Sequence, residues 1–354
     1  MAIQELQCHE FRNLINTTLK FNPKLNIIIG SNGSGKSSLL ESIYTLSTSK
    51  SFRTKHLKNC IKHNHAKFTV FGKYKNHTIG IQKESVKLLT KVDNKLITKR
   101  SELAKIQSVL AIDSSSFELV TGSKQKRREF LDWALFHVKP QFADVWLKYK
   151  NILKQRNQLL RTKSIKEIEY WNKYLIEFNE QINFYRNELL NDFIIDFKQS
   201  NDKNSLLKKV DIEYVQGWKN EQNYRDALTE KLSIDLKRGF TSAGAHQCDI
   251  NFTVENKEIK DVYSRGQIKN LVINLYLTLM DYVFKNSHTK PIFIIDDLVA
   301  ELDKNTIKDV IVSLIEKNYQ IFISSIEFDD FLKQLKIEKT VFHVKHGEIK
   351  SQSL

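Results

Sequence analysis

Near the start of the chain, Gly30-Ser31-Asn32-Gly33-Ser34-Gly35-Lys36-Ser37 has the residue types and spacing of a phosphate cradle. It satisfies G-x-x-x-x-G-K-[ST]. In that motif glycines let backbone N–H groups approach phosphate oxygens, the lysine neutralises β/γ charge, and the serine hydroxyl ligates Mg²⁺. A chance match in a chain of this length has a probability of roughly one per cent. An apolar run, IIIG, enters the loop and SSLLESIY leaves it, so a strand feeds a helix N-terminus that favours anions.

Such a cradle needs a carboxylate from a neighbouring strand, and PIFIIDD (291–297) supplies two. Asp296 is read as holding Mg²⁺, directly or through water, and Asp297 as orienting or polarising the attacking water. Alone, an acidic pair after an apolar run is an ordinary strand exit; after a phosphate loop it is a candidate catalytic pair. Leu298-Val299-Ala300-Glu301-Leu302-Asp303 follows directly. About thirty residues earlier, Ser264-Arg265-Gly266-Gln267 opens a long apolar helix, a second anion site built from the same physics. One fold cannot place two γ-phosphate sites on one nucleotide. The second is therefore offered to another subunit, which implies an ATP-sandwiched homodimer.

These groups must be positioned by an α/β framework, and pattern changes divide the chain into three parts. Residues 1–110 alternate short apolar runs (LNIII, FTVFGKY, HTIGIQK) with turns and read as the strand-rich first part of a head carrying the phosphate loop. Residues 111–235 switch to helical spacing. Leu131, Leu135, Val138, Phe142, Val145, Tyr149 and Ile152 recur at steps of three and four, with a break at Pro140; Ile168 to Leu189 continues for three heptads. The polar stretch RTKSIKE (161–167) between them predicts an antiparallel helical hairpin projecting as an arm. Residues 199–235 are polar and weakly patterned. Residues 236–354 return to mixed strands and helices, with PIFIID and QIFISS as buried strands flanking a helix.

The formal net charge is +15, from 56 Lys+Arg against 41 Asp+Glu, and favours a polyanionic partner. Between Lys124 and Lys163 stand eleven Lys/Arg and three acids. Grouped on a hairpin, these cations would track DNA phosphates without reading bases. The candidate contacts are Lys126, Arg127 and Arg128 before Pro140, and Lys148, Lys150, Lys154 and Arg156 beyond it. No aromatic-interleaved platform for single strands is evident, so duplex backbone is the expected mode. Cys8, Cys60 and Cys248 lack metal or disulfide spacing, and no run approaches the roughly 18 apolar residues of a membrane span; a cytoplasmic, membrane-free protein is expected.

Across nearly its whole length the chain resembles the RecF family, ABC-type ATPases related to the SMC proteins. The resemblance is carried by HEFRN (9–13), GSNGSGKSSLLESIYTLSTSKSFR (30–53), ELVTGSKQKRREFLD (118–132), YKNILKQRNQLL (149–160), GFTSAGAHQCDI (239–250), SRGQ (264–267) and PIFIIDDLVAELD (291–303). It implies an SMC-like ABC-ATPase head with mixed β-sheets and an inserted short antiparallel coiled-coil arm. ATP and Mg²⁺ are the implied cofactors, with Lys36 and Asp297 catalytic, Arg12 and Asn13 beside the nucleotide, and Ser264, Gly266 and Gln267 as signature. It also implies an ATP-bound homodimer that clamps duplex and gapped DNA in recombinational repair, replication and the SOS response. RecR and RecO are the implied partners, and weak, DNA-stimulated hydrolysis drives release. The chain departs from the family at Ser114–Ser116 (usually Pro-Glu-Asp), at Gly244–Asp249 (a Gly-Pro-His-Arg-Asp-Asp-like stretch) and at Arg265 (glutamine). Ser324-Ser325 stands where ABC proteins carry a switch histidine. A transporter-type ATPase subunit would need no basic arm; a non-hydrolysing clamp would not need Asp297.

Overall fold

The structure is a computed structural model that describes residues 2–297, 304–328 and 330–354. The chain forms two compact units, one of residues 1–116 and 287–354, the other of residues 117–286. The second unit thus extends past 235 and takes in the SRGQ stretch, which the sequence pattern had grouped with the head.

The first unit holds two six-stranded sheets. In one, Leu25–Ile29 lies between Gln320–Ser325 and Lys339–Lys345, with Ile292–Ile295 and Val109–Ile112 beyond; these five strands run parallel, and Glu348–Ser353 closes the far edge antiparallel. Leu25–Ile29 is buried at all five positions, as a central parallel strand covered on both faces requires. Ile292 pairs with Gln320 in register, so the two apolar runs expected as strands are neighbours, and the helix Lys304–Glu316 connects them. The other sheet is antiparallel and contains Ile3–His9, Lys67–Tyr74 and Thr78–Glu84 as adjacent strands. The phosphate-loop helix, Lys36–Thr48, packs against strands of both sheets. Ten of its thirteen residues are buried, which leaves little freedom to the loop that precedes it.

The second unit is mainly helical. Lys124–Val138 ends just before Pro140 and Phe142–Thr162 starts just after it, as proline's missing N–H dictates. Phe142–Thr162 and Ile165–Ser200 form the antiparallel hairpin. Its turn is shorter than RTKSIKE: Lys163 alone takes the left-handed conformation, at φ 57°. Ile168, Leu175, Ile182 and Leu189 are buried along the seam. The weakly patterned stretch 199–235 contains a strand, Asp211–Val215, and most of a helix, Tyr224–Arg238. That helix shows no apolar period because its buried face includes Asp235, fully buried and paired with Arg156 at 3.1 Å. A second buried pair joins Arg186 to Asp132 at 2.9 Å, and Arg186 also donates to the Ala245 carbonyl. No helix among the described residues is long and apolar enough to cross a membrane.

Candidate nucleotide-binding site

The loop Gly30–Gly35 leaves the buried strand Leu25–Ile29 and turns into the helix at Lys36. The turn needs glycine twice, at Gly33 (φ 76°) and Gly35 (φ 120°), both in the region that strains residues with a Cβ. At Gly30 the backbone is ordinary but the space is not: a Cβ there would collide with the Val344 carbonyl oxygen and lie 2.6 Å from Ser34 Oγ. Lys36 is buried, and its Nζ is held by the Gly30 carbonyl at 2.8 Å and the Ser31 carbonyl at 3.2 Å, inside the curve of the loop. The helix's leading N–H groups have no intrahelical acceptor and open on a cleft of about 860 Å³ lined by Gly33, Lys36 and Ser37.

Asp296 and Asp297 arrive from the end of Ile292–Ile295. Ser37 Oγ donates to Asp296 Oδ1 at 3.0 Å, which brings together two groups far apart in sequence. Ser324, fully buried at the neighbouring strand's end, ties the pair together: its hydroxyl donates to Asp296 Oδ1 at 2.8 Å and accepts the Asp297 N–H at 2.8 Å. Asp297 takes φ 56°, an uncommon conformation for a residue with a side chain, and it lines the cleft. Burial raises the Asp296 carboxyl above its ordinary value; Ser324 and Ser37 hydrogen bonds pull it down, and the like charge of Asp297 pushes it up.

Arg12 and Asn13 also line the cleft. Arg12 is engaged within the protein: Nε and Nη2 reach the two oxygens of Glu41 at 2.8 Å each, and Nη1 donates to the Asn59 carbonyl. Glu41 projects from the phosphate-loop helix into the interior, where it also accepts from Ser51 Oγ and Cys60 Sγ. Burial opposes its charge, yet the hydrogen bonds from Arg12 and Ser51 hold its carboxyl below the usual range. Asn13 braces the loop: Nδ2 donates to the Gly33 carbonyl at 3.2 Å, and Oδ1 accepts from Ser38 Oγ at 2.7 Å. From the other side, the His346-Gly347 turn closes on the loop, Gly347 N–H donating to the Ser34 carbonyl at 2.8 Å.

Glu41, the Ser324 bridge and the His346-Gly347 turn were not assigned from sequence. A glutamate within the apolar run LLESIY was the one available signal for the first. In the sequence Ser324 reads only as a stand-in for a histidine.

Ser264, Gly266 and Gln267 lie in the second unit, at the exposed start of the helix Arg265–Ser287. Ser264 N–H donates to Gln267 Oε1 at 2.8 Å, and Gln267 N–H to Ser264 Oγ at 3.4 Å, a reciprocal cap. A Cβ at Gly266 would meet nothing within 4 Å. Leu298–Asp303 lies outside the described residues.

The candidate DNA cations separate. Arg156 is fully buried, with Nη1 on Asp235 and Thr241 and Nε on Asn172, so it cannot meet a DNA phosphate, and that assignment is corrected. Arg127 is bidentate on Asp249, at 2.6 and 3.2 Å, and Arg128 donates to the Cys248 carbonyl. Lys126 lies 3.9 Å from Glu118. Lys148, Lys150 and Lys154 are exposed on the hairpin helix.

Comparison with known proteins agrees over the whole length. The family model "RecF/RecN/SMC N terminal domain" matches residues 2–350. DNA replication and repair protein RecF of Pseudoalteromonas translucida is 36% identical over 361 residues, covering 99% of each chain. The protein of the same name from Psychromonas ingrahamii is 34% identical over 367 residues, again 99% of each. Among solved structures, the recombination mediator protein RecF with ATP, of the RecFOR pathway, superposes with a TM-score of 0.89 at 24% identity, covering 99% of this chain and 97% of that one. An Smc head bound to the winged-helix domain of ScpA shares the fold at a TM-score of 0.55 and 16% identity, covering 100% and 98%.

Proposed function

This chain belongs to the RecF family of DNA replication and repair proteins, within the RecF/RecN/SMC group, and from that premise we propose that it is an ATP-dependent DNA clamp. Two ATP-bound copies close on duplex DNA at single-strand gaps, support recombinase loading with RecR and RecO, and part on slow, DNA-stimulated hydrolysis.

The observation that carries the nucleotide part is the 3.0 Å contact between Ser37 Oγ and Asp296, with Asp297 beside it at the cleft. The residues present fit ATP and Mg²⁺. Glycines at 30, 33 and 35 clear the backbone for phosphates, and the Ser34 hydroxyl is buried without a hydrogen-bond partner in the cradle wall. Ser37 and Asp296 would hold the magnesium ion, which when bound neutralises charge on the β- and γ-phosphates. Lys36 exchanges its loop carbonyls for phosphate oxygens. Asp297 orients the attacking water, and Ser324 fixes the direction from which it does so.

Gly266 supports the dimer. Neither the space around it nor its backbone conformation demands glycine within one copy, so the bare surface is explained by something that approaches from outside. Gln267 and Ser264 cap the helix reciprocally, so that Ser264 keeps its hydroxyl hydrogen, and Gly266 its bare backbone, to offer to a partner's nucleotide. For DNA, the exposed cations Lys148, Lys150 and Lys154 remain.

Lys36→Met tests the cradle: nucleotide affinity should fall at least a hundredfold in calorimetry, and retained affinity would remove the reading. Gly266→Leu should bind ATP as the parent does and yet stay monomeric with ATP and Mg²⁺ in light scattering; ATP-dependent dimers would move the interface elsewhere.

A further inference from the structure

Over residues 42–83 the chain carries nine Lys and Arg and neither an Asp nor a Glu. Six of the nine fall between Lys50 and Lys67, together with three histidines. This stretch links the phosphate-loop helix to the strand Lys67–Tyr74, and it is pinned by its backbone rather than by charge pairs. Arg53 and Thr54 N–H groups donate to Ser51 Oγ, Asn59 Nδ2 donates to Thr54 Oγ1, and Lys62 N–H to the Glu10 carbonyl.

The side chains are left outside. Arg53, Lys55, His56, Lys58, His63 and Lys67 are all exposed. Lys55, Lys58 and Lys67 have no ion-pair partner among the described residues. His65 has Glu10 at 3.1 Å, and Glu41, the carboxylate nearest Arg53 at 4.0 Å, is buried and already held by Arg12. Glu84 stands opposite Lys67 across the strand pair and Glu10 beside His65, so the base of the surface meets two carboxylates, whereas Lys55 and Lys58 have no ion-pair partner among the described residues. Ordinary solubilising faces mix both signs; a stretch with six cations and no acid of its own concentrates counterions, which a polyanion releases on binding.

Its position gives the charge a second meaning. Arg53, Lys62 and His63 line the nucleotide cleft, whereas Lys55, Lys58 and Lys67 do not. The cations therefore extend beyond anything a single nucleotide could use. The loop is also fastened to the phosphate-loop helix through one buried carboxylate, Glu41, which holds Ser51 and Cys60 from the loop and Arg12 from the preceding turn.

We propose that the surface built by residues 53–67 is a DNA-backbone contact on the nucleotide-binding unit, distinct from the hairpin cations, and that Glu41 transmits its occupancy to the phosphate loop. The proposal rests on the reading of this chain as a DNA-binding ATPase. It supplies a physical route by which DNA alters hydrolysis: phosphates drawn to Lys55 and Lys58 load a loop whose anchor sits on the helix that carries Lys36 and Ser37. The contact is sequence-independent, because Lys55, Lys58 and Lys67 offer long, flexible ammonium groups, while the one guanidinium of the stretch, Arg53, lines the nucleotide cleft.

The experiment compares Lys55→Gln/Lys58→Gln/Lys67→Gln with Lys148→Gln/Lys150→Gln/Lys154→Gln, measuring anisotropy of labelled duplex DNA across a salt series with ATP present. Each phosphate contact contributes about 0.9 to the slope of log affinity against log salt, so the first variant should lose about 2 to 3 from the slope and roughly tenfold or more in affinity at low salt. DNA stimulation of hydrolysis should fall with it, and Glu41→Gln should uncouple stimulation from DNA affinity. An unchanged slope in the first variant with a reduced one in the second overturns the proposal and leaves the DNA-binding reading standing. A first variant that loses ATP affinity in calorimetry while its salt slope is unchanged assigns these lysines to the nucleotide and also overturns it. Parent protein that shows no salt-dependent DNA binding removes the underlying reading, and the proposal with it.

Discussion

Residues 124–163 and residues 50–67 are both dense in lysine and arginine, and the fold treats their charge in opposite ways. In the first stretch, the arginines are largely internal. Arg156 is sealed against Asp235, Arg127 is forked onto Asp249, and Arg128 is turned to a backbone carbonyl. In the second, the ammonium groups of Lys55, Lys58 and Lys67 stand in solvent and make no ion pair among the described residues. A count of cations therefore measures two different quantities. Guanidinium, with a planar fork and weak hydration, is buried against carboxylates as a brace; the ammonium groups of Lys55, Lys58 and Lys67, compact and strongly hydrated, stay outside.

Perturbing the braces should cost stability, and perturbing the free charges should not. Arg156→Ala strands the buried Asp235 carboxylate and should destabilise the protein by about 3–5 kcal/mol in denaturant unfolding. A variant of native stability with weakened DNA binding would return Arg156 to the surface.

His246 belongs to the same buried network. Its Nε2–H donates to the Thr241 carbonyl at 2.9 Å and its Nδ1 accepts from the Tyr149 hydroxyl at 2.7 Å, so the neutral ring is satisfied. Burial, with Arg128 and Arg156 nearby, lowers its pKa from 6.5 to about 4. A depressed histidine contributes stability that is complete above the unfolded value and is lost as pH falls toward the folded one. Unfolding free energy should therefore drop by about 3 kcal/mol between pH 6.5 and 4, and His246→Gln should flatten that part of the profile.

Arg127→Gln, which leaves Asp249 with Lys124 at 3.7 Å and the Ile250 N–H at 2.9 Å, should cost about 1–3 kcal/mol. Lys58→Gln and Lys154→Gln should each lie within about 0.5 kcal/mol of the parent while each lowers the DNA salt slope by about 0.9. A destabilisation above about 1 kcal/mol at Lys58 would break the comparison.

The contrast also explains what was legible in the sequence. The phosphate loop, the two apolar strands, the Pro140 break and the hairpin seam could be read because each is written in adjacent residues or in a period. Charge pairing is not: Asp235 and Asp249 lie far along the chain from Arg156 and Arg127, and a window of cations carries no sign of them. The same long separation hid Tyr224–Arg238, whose core face is completed by an ion pair instead of an apolar residue. The 50–67 surface is hard to read from sequence for a different reason. Its signature is the absence of acids, and windows ranked by the number of bases do not register an absence.

Ser37 and Asp296 illustrate the middle case. Each motif was readable alone, and their apposition followed from strand order. Ser324, which fixes the pair, was visible as a residue but not as a bridge, since nothing local states that Gln320–Ser325 lies between the strands that bear them.

The turn at His346-Gly347 carries a consequence for how the protein comes into being. Its N–H reaches the Ser34 carbonyl, and a side chain at Gly347 would collide with the Asn13 carbonyl oxygen, so the cradle's outer wall is supplied from late in the sequence. The loop is translated long before the turn that buttresses it. The phosphate motif therefore first exists without its outer wall, and the cradle takes its native shape only when these two distant segments meet.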